Sequence, residues 1–185
     1  MDIEFKLELL RIGYVIAFRY DRQKKFDLIS DGIFQRQLWQ GFNSDDACFT
    51  HVAISSGDNY LVNVTPPKAK LIKLLDAYKG SYIKILKYKG LDFERLVRYK
   101  VGCIYNAIAS NLRYDWMGVL SFVLPAIKQI KSRPFCSEAC AQAFKIFYPD
   151  IFCDAPPSKV MPAHFLDPSF FPSFEVVWEG EVPKS

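Results

Sequence analysis

Apolar and polar positions along the 185-residue chain follow two periods, one of strands and one of helices. Residues 14–20 (YVIAFRY) are rich in β-branched and aromatic residues and predict a first strand. Ser30-Asp31-Gly32 reads as a helix start, because Ile33, Phe34, Leu38 and Trp39 then form an apolar stripe at helical spacing. A polar break over residues 41–46 is followed by strands at 49–55 and 60–64. Ser56-Gly57-Asp58-Asn59 joins them as a hairpin turn, and Pro66-Pro67 ends the hairpin. Residues 71–78 fit a short strand followed by one helical turn, and 82–88 alternate as a further strand. Asp92 can cap a long helix reaching about residue 112, buried through Leu96, Val97, Val101, Ile104, Tyr105 and Ile108. Pro134 opens a second helix over residues 136–148, with Ala139, Cys140, Ala143, Phe144 and Phe147 facing inward and Pro149 stopping it. The tail is proline-rich over 155–172 and closes with a strand at 174–178. Nothing resembles an interdomain linker, so the pattern predicts one α+β domain spanning residues 1–185, with a small antiparallel sheet packed against helices.

Composition narrows the possible partners. Half of the residues are hydrophobic and 16 % aromatic, enough to build a core without staples. The 24 Lys and Arg against 20 Asp and Glu leave only +4, and the basic residues are scattered, as in 68–73 and 84–89. A solvated face explains them better than a nucleic-acid or anionic-membrane contact, so no nucleic acid is expected as partner. The longest apolar run, 116–127, is broken by Gly118 and Pro125 and falls short of the ~20 residues that span a bilayer, so no transmembrane segment is expected. The start, Met-Asp-Ile-Glu-Phe-Lys-Leu-Glu, lacks the basic opening of a signal peptide. A cytoplasmic location with reduced thiols follows as the expectation, although a dedicated export route would leave no mark in such a sequence. The five cysteines cannot all pair, and with two histidines and no Cys-x-x-Cys a structural metal site is poorly served. Oligomeric state leaves no signal.

Among the cysteines, Cys103 and Cys140 fall on apolar helical faces, and Cys48 and Cys153 in loops without a nearby base. Cys136 differs, since it begins a helix directly after Arg133-Pro134-Phe135. Unpaired amides and the helix dipole there favour a thiolate and can hold an oxyanion. A structural cysteine at a helix start fits the same position. His51 stands in a strand in which alternation puts Phe49, His51 and Ala53 on one face, and Asn63 follows twelve residues later on the partner strand. Across the turn, Asn63 Oδ1 can accept from an imidazole N–H, although His51 equally fits a satisfied sheet residue.

Four segments, THVAIS, NYLVNV, RYDWMGVLSF and PFCSEACAQAF, occur in that order. With GYVIAFR before them and KILKYKGLDFERL between, they cover about residues 12–148. In this order and spacing the chain resembles the permuted papain-like amidase family of the YaeF/YiiX type, related to NlpC-type cysteine peptidases. There a His-Val-Gly-Ile-like strand precedes a polar residue on the next strand, and the nucleophile comes later at a Cys-Ser-Glu-Leu-like helix start. The resemblance implies a circularly permuted papain-like fold with Cys136 as nucleophile, His51 as general base and Asn63 as orienting residue. Asn63 stands where the family often has glutamate, so it can orient an imidazole without neutralising an imidazolium. Tyr14 replaces an early acidic residue and Ala53 a glycine, neither touching the chemistry. Tyr114 matches a tyrosine whose hydroxyl lies near the sulfur, and it fits a core aromatic beside Trp116 as well. Ser137 and Glu138 support the helix start, and His164, in the proline-rich tail, reads as a surface residue.

The expected activity is a cysteine hydrolase that cleaves an amide, as in cell-wall peptides, through a thioester acyl-enzyme, with no metal or organic cofactor. An acyltransferase or lipid ester hydrolase on the same fold, or a non-catalytic peptide- or lipid-binding module, are the alternatives. The substrate is accordingly a peptide or an acyl small molecule. Around the site the sequence offers Phe49, Tyr60, Tyr114, Trp116 and Phe135, with Arg113 and Arg133 positioned to grip a peptide carboxylate. The arginines tilt the expectation towards a carboxylate-bearing peptide.

Overall fold

A computed structural model describes residues 5, 7–21, 27–90, 113–115, 117, 133–148, 151, 155–169 and 173–184. The long helix expected over 92–112, with Cys103, and the positions Trp116 and Cys153 lie outside the described residues. Six antiparallel strands form one sheet in the order β4-β3-β2-β1-β5-β6. They are β1 (Val15–Arg19), β2 (Phe49–Gly57), β3 (Tyr60–Thr65), β4 (Lys68–Lys73), β5 (Tyr82–Tyr88) and β6 (Phe174–Glu181). Helices α1 (Leu28–Trp39), α2 (Ser44–Ala47), α3 (Leu74–Ala77) and α4 (Cys136–Phe147) complete the described framework with short 3-10 turns. The molecule is therefore mixed α+β, as its pattern predicts.

Each face of the sheet carries its own core. Val15, Ala17, Val52, Ile54 and Leu86 pack against Cys136, Cys140, Ala141 and Phe144 of α4. Ile16, Phe18, Ala53, Leu61, Ile83 and Ile85 pack on the opposite face with Leu10, Leu74 and Trp178. Strands buried on both faces explain the near-continuous apolar run of β1, which is buried from Val15 to Phe18. The tight β2–β3 turn puts Asp58 and Asn59 at positive φ, 51° and 68°, a conformation that Asp and Asn tolerate.

Three local details depart from the sequence pattern. Helix α1 starts one turn early, because Asp27 is the N-cap and accepts from the amides of Ile29 and Ser30. Its stripe also ends before Trp39, which is 75 % exposed beneath the Arg36 guanidinium, while Gln37 is fully buried. Gln37 instead ties three main-chain groups together: Nε2 donates to Ala47 O and Phe49 O, and Oε1 accepts from Ala163 N–H. Finally, Phe18 pairs with His51 but Arg19 with Phe49, so Thr50 is a bulge. That extra residue turns Phe49 onto the α4 face and separates it from His51 and Ala53, with which simple alternation groups it.

Candidate active site

His51 reaches the site from β2, its ring tilted against Phe18 and stacked over Tyr78 with centroids 5.3 and 6.5 Å away. Asn63 comes from β3 and is buried. Its Oδ1 lies 2.6 Å from His51 Nε2, and its Nδ2 donates to the Tyr78 hydroxyl at 3.0 Å. An amide oxygen only accepts, so Nε2 carries the proton and Nδ1 is the basic nitrogen of the neutral ring. Burial pulls the His51 pKa down to about 4, and the Asn63 hydrogen bond offsets this only partly. The ring is neutral at pH 7.

Cys136 approaches from the other face. It opens α4 after Phe135, an N-cap whose side chain makes no capping bond, so the first amides of the helix remain available to the sulfur. The amides of Ser137 and Cys136 itself and the Ser137 hydroxyl all favour its thiolate. So does the amide of Val52. The β2–β3 ladder stops at Ile54 and Val62, and Val52 lies beyond that end, where its N–H meets the sulfur instead of a strand partner. Val52 is the chain neighbour of His51, whose own ring lies on the opposite face of the sheet with Phe18. The charge of Cys136 is also felt at the Tyr78 hydroxyl, whose pKa burial and that charge push up to about 12 against the pull of Asn63.

The helix start does not, however, yield a depressed thiol pKa. Cys136 is only 2 % exposed, and burial outweighs the amides and lifts the thiol to about 11. Cys136 is thus a neutral thiol and His51 a neutral imidazole at pH 7.

The remaining candidates separate. Tyr114 is buried beside Ile33, Val64, Ala69 and Phe135, and burial first, then the charges of Cys136, Asp27 and Asp115, raise its pKa. It is therefore a core aromatic whose ionisation the charge of Cys136 opposes. Ser137 donates to Val160 O at 2.7 Å, anchoring the helix start to the tail, and Glu138 is buried, accepting from Gln142. Arg113 is exposed at the sheet margin, bridging to Lys68, and Arg133 is half-buried. Phe49 stands under Lys84, and Tyr60 lies at the far end of the hairpin under Lys73. His164 is not a surface residue: Nδ1 accepts from Met161 N–H at 2.9 Å, its ring meets Phe42 edge-on, and burial lowers its pKa to about 4.

The sequence reading passes over Tyr78. It falls just after α3, at the end of a stretch whose period fits strand and turn alike, and its partner Asn63 is fifteen residues away. Only the fold brings the two together. Among the described residues, no helix is long and apolar enough to cross a membrane. Compared with known proteins, the chain matches no protein-family model, no curated protein and no solved structure.

Proposed function

We propose that the protein is a cysteine hydrolase of permuted papain-like fold, with Cys136 as nucleophile, His51 as base and Asn63 as the residue that orients it. The observation carrying this reading is the 2.6 Å contact between His51 Nε2 and Asn63 Oδ1. It leaves Nδ1 as the basic nitrogen of a residue whose chain neighbour, Val52, donates its amide to the Cys136 sulfur. In the reaction, Sγ attacks the acyl carbon while Nδ1 takes the thiol proton. The new oxyanion is held by backbone amides at the start of α4. Collapse breaks the acyl–nitrogen bond, and the imidazolium returns its proton to the leaving amine. Water then attacks the thioester, giving a proton to Nδ1, and the released sulfur recovers it. The substrate we favour is an amide in a carboxylate-bearing peptide, supported by Arg133 three residues before the nucleophile.

Mass spectrometry after exposure to an activated acyl amide tests the mechanism. One acyl group is expected on Cys136, released by hydroxylamine and absent from Cys136→Ala. No acyl adduct under any condition favours a second reading, a binding module that keeps the fold, to which the deep burial of Cys136 lends support. Parallel incubation with peptidoglycan fragments and with phospholipid or acyl ester distinguishes substrates: fatty acid released without a cut peptide would replace amide by ester chemistry, and transfer to an added acceptor would mark an acyltransferase.

A further inference from the structure

At the β4 margin of the sheet, three cations share the face that holds Asn63. Alternation along β4 puts Lys68 and Lys70 on one side and Ala69 on the other. Ala69 packs with Val64, Tyr114 and Phe135. Lys70 is instead the direct cross-strand partner of Asn63, so its side chain leaves the sheet on the Asn63 side. Arg113 joins the two lysines, because it forms an antiparallel bridge with Lys68 while its neighbour Tyr114 turns to the Ala69 side. All three are exposed. Lys68 and Arg113 are thus like charges set directly opposite each other, an arrangement that repels. Lys70 stands on the diagonal, about 7–8 Å from Arg113. On β5, by contrast, Lys84 is paired with Asp46 and Glu179, and Lys87 with Glu175. Among the described residues neither Lys70 nor Arg113 has an ion pair. A bound anion would relieve the repulsion.

We propose that Lys68, Lys70 and Arg113 form a docking site for an acidic, extended peptide with carboxylates two residues apart. Lys68 and Lys70 are separated by about 6.7 Å along the strand, the distance between alternate side chains of an extended chain. The guanidinium of Arg113 offers a planar fork that matches a carboxylate. Strand β4 carries no aromatic side chain on which a base could stack, which disfavours a single-stranded nucleic acid. The site lies one strand outward from Asn63, so a peptide held there runs along the margin of the face that holds His51. That this peptide is the substrate rests on the hydrolase reading; the docking itself does not.

The probe is N-acetyl-Glu-Ala-Glu-Ala amide, with N-acetyl-Gln-Ala-Gln-Ala amide as its uncharged isostere. Binding to the whole chain, and to Cys136→Ala, is read from 15N–1H shifts at low salt, where exposed charges are least screened. The Glu peptide should bind more tightly than the Gln peptide. Lys70→Gln and Arg113→Gln should each weaken it roughly 2- to 5-fold, the range of an exposed ion pair. The double variant should treat the two peptides alike. Lys184→Gln, an exposed charge on the far side of the sheet order, should leave binding unchanged. Arg113→Gln removes a like-charge contact, so its thermal midpoint should not fall. Equal binding of the two peptides, or binding of neither at millimolar concentration, overturns the proposal. So does a loss in Lys184→Gln equal to that in Lys70→Gln, which would be an effect of net charge alone. Inorganic phosphate that displaces the Glu peptide at equal concentration would mark a general anion site, and a DNA oligonucleotide that binds more tightly through the same residues would mark a nucleic-acid contact; either overturns the peptide assignment. The two readings fail separately. A chain that never acylates but discriminates the peptides keeps the docking site and loses the hydrolase. A chain that acylates on Cys136 without discriminating them loses the docking site and keeps the hydrolase.

Discussion

Burial acts on the two side chains proposed to react in opposite senses, favouring neutral imidazole at His51 and neutral thiol at Cys136. In the proposed mechanism, attack would therefore start from an uncharged thiol and imidazole rather than a preformed thiolate–imidazolium. Two measurements follow at this scale. Alkylation of Cys136 by iodoacetamide should be slow at neutral pH and climb towards a midpoint near 11, with His51→Ala hardly moving it. A midpoint below about 7 that rises in His51→Ala would instead show an ion pair. For turnover, the acid limb of kcat/KM should fall near pH 4, because the base is lost only when His51 is protonated there. Asn63→Ala should reduce kcat by about 10- to 1000-fold, since an orienting residue acts through another group. Asn63→Asp should move the acid limb upward, because a carboxylate beside the ring favours its charged form. An unchanged rate in Asn63→Ala would mean that another residue orients His51.

Elements place these residues, and Gln37 is where three of them are joined. Its amide links α1 to the start of β2 and to the 3-10 turn Pro162–Phe165, all without solvent. Gln37→Ala removes a partner from two carbonyls and one amide, at roughly 1–3 kcal/mol for each left unpaired where water cannot reach it. Denaturant unfolding should therefore show a loss of about 3 kcal/mol or more, against a few tenths for exposed Gln40→Ala. Near-equal midpoints would mean that water repairs the gap. Gln37 also shows what a sequence withholds. Period alone predicts the strands at 49–55, 60–64 and 82–88 and the helix from Cys136, because each is decided by local alternation or a local start signal. The Asn63 oxygen facing an imidazole nitrogen was legible for the same reason, as a short hairpin fixes its own register. A buried glutamine on a helix is indistinguishable from an exposed one until its distant partners are known, and Tyr78 is hidden likewise. The Thr50 bulge breaks alternation within one strand with no glycine or proline to announce it.

For the whole molecule, the same burial makes stability depend on pH from both sides. His51 and His164 each have a folded pKa of about 4 against an unfolded value near 6.5. Between those values the unfolded chain binds more protons, so acid favours unfolding. Stability from these groups is complete above about pH 6.5 and is lost as pH falls towards 4. After discounting for the part of each ring that solvent reaches, each histidine accounts for on the order of 2 kcal/mol by pH 4. Cys136 acts at the other end, with a folded pKa of about 11 above its reference of 9.0. Its contribution is complete below about pH 9 and is lost as pH rises through 11, because the unfolded thiol ionises first. The thermal midpoint should therefore hold a plateau between about pH 6.5 and 9 and fall on either side. His164→Gln, which removes a titrating ring distant from the site in sequence, should flatten the acid limb, and Cys136→Ala the alkaline one. Losing both histidines should leave only carboxylates to drive unfolding near pH 4. An acid limb of full steepness in His164→Gln would show that this ring is already charged in the folded chain, in conflict with the Met161 N–H that points at its Nδ1.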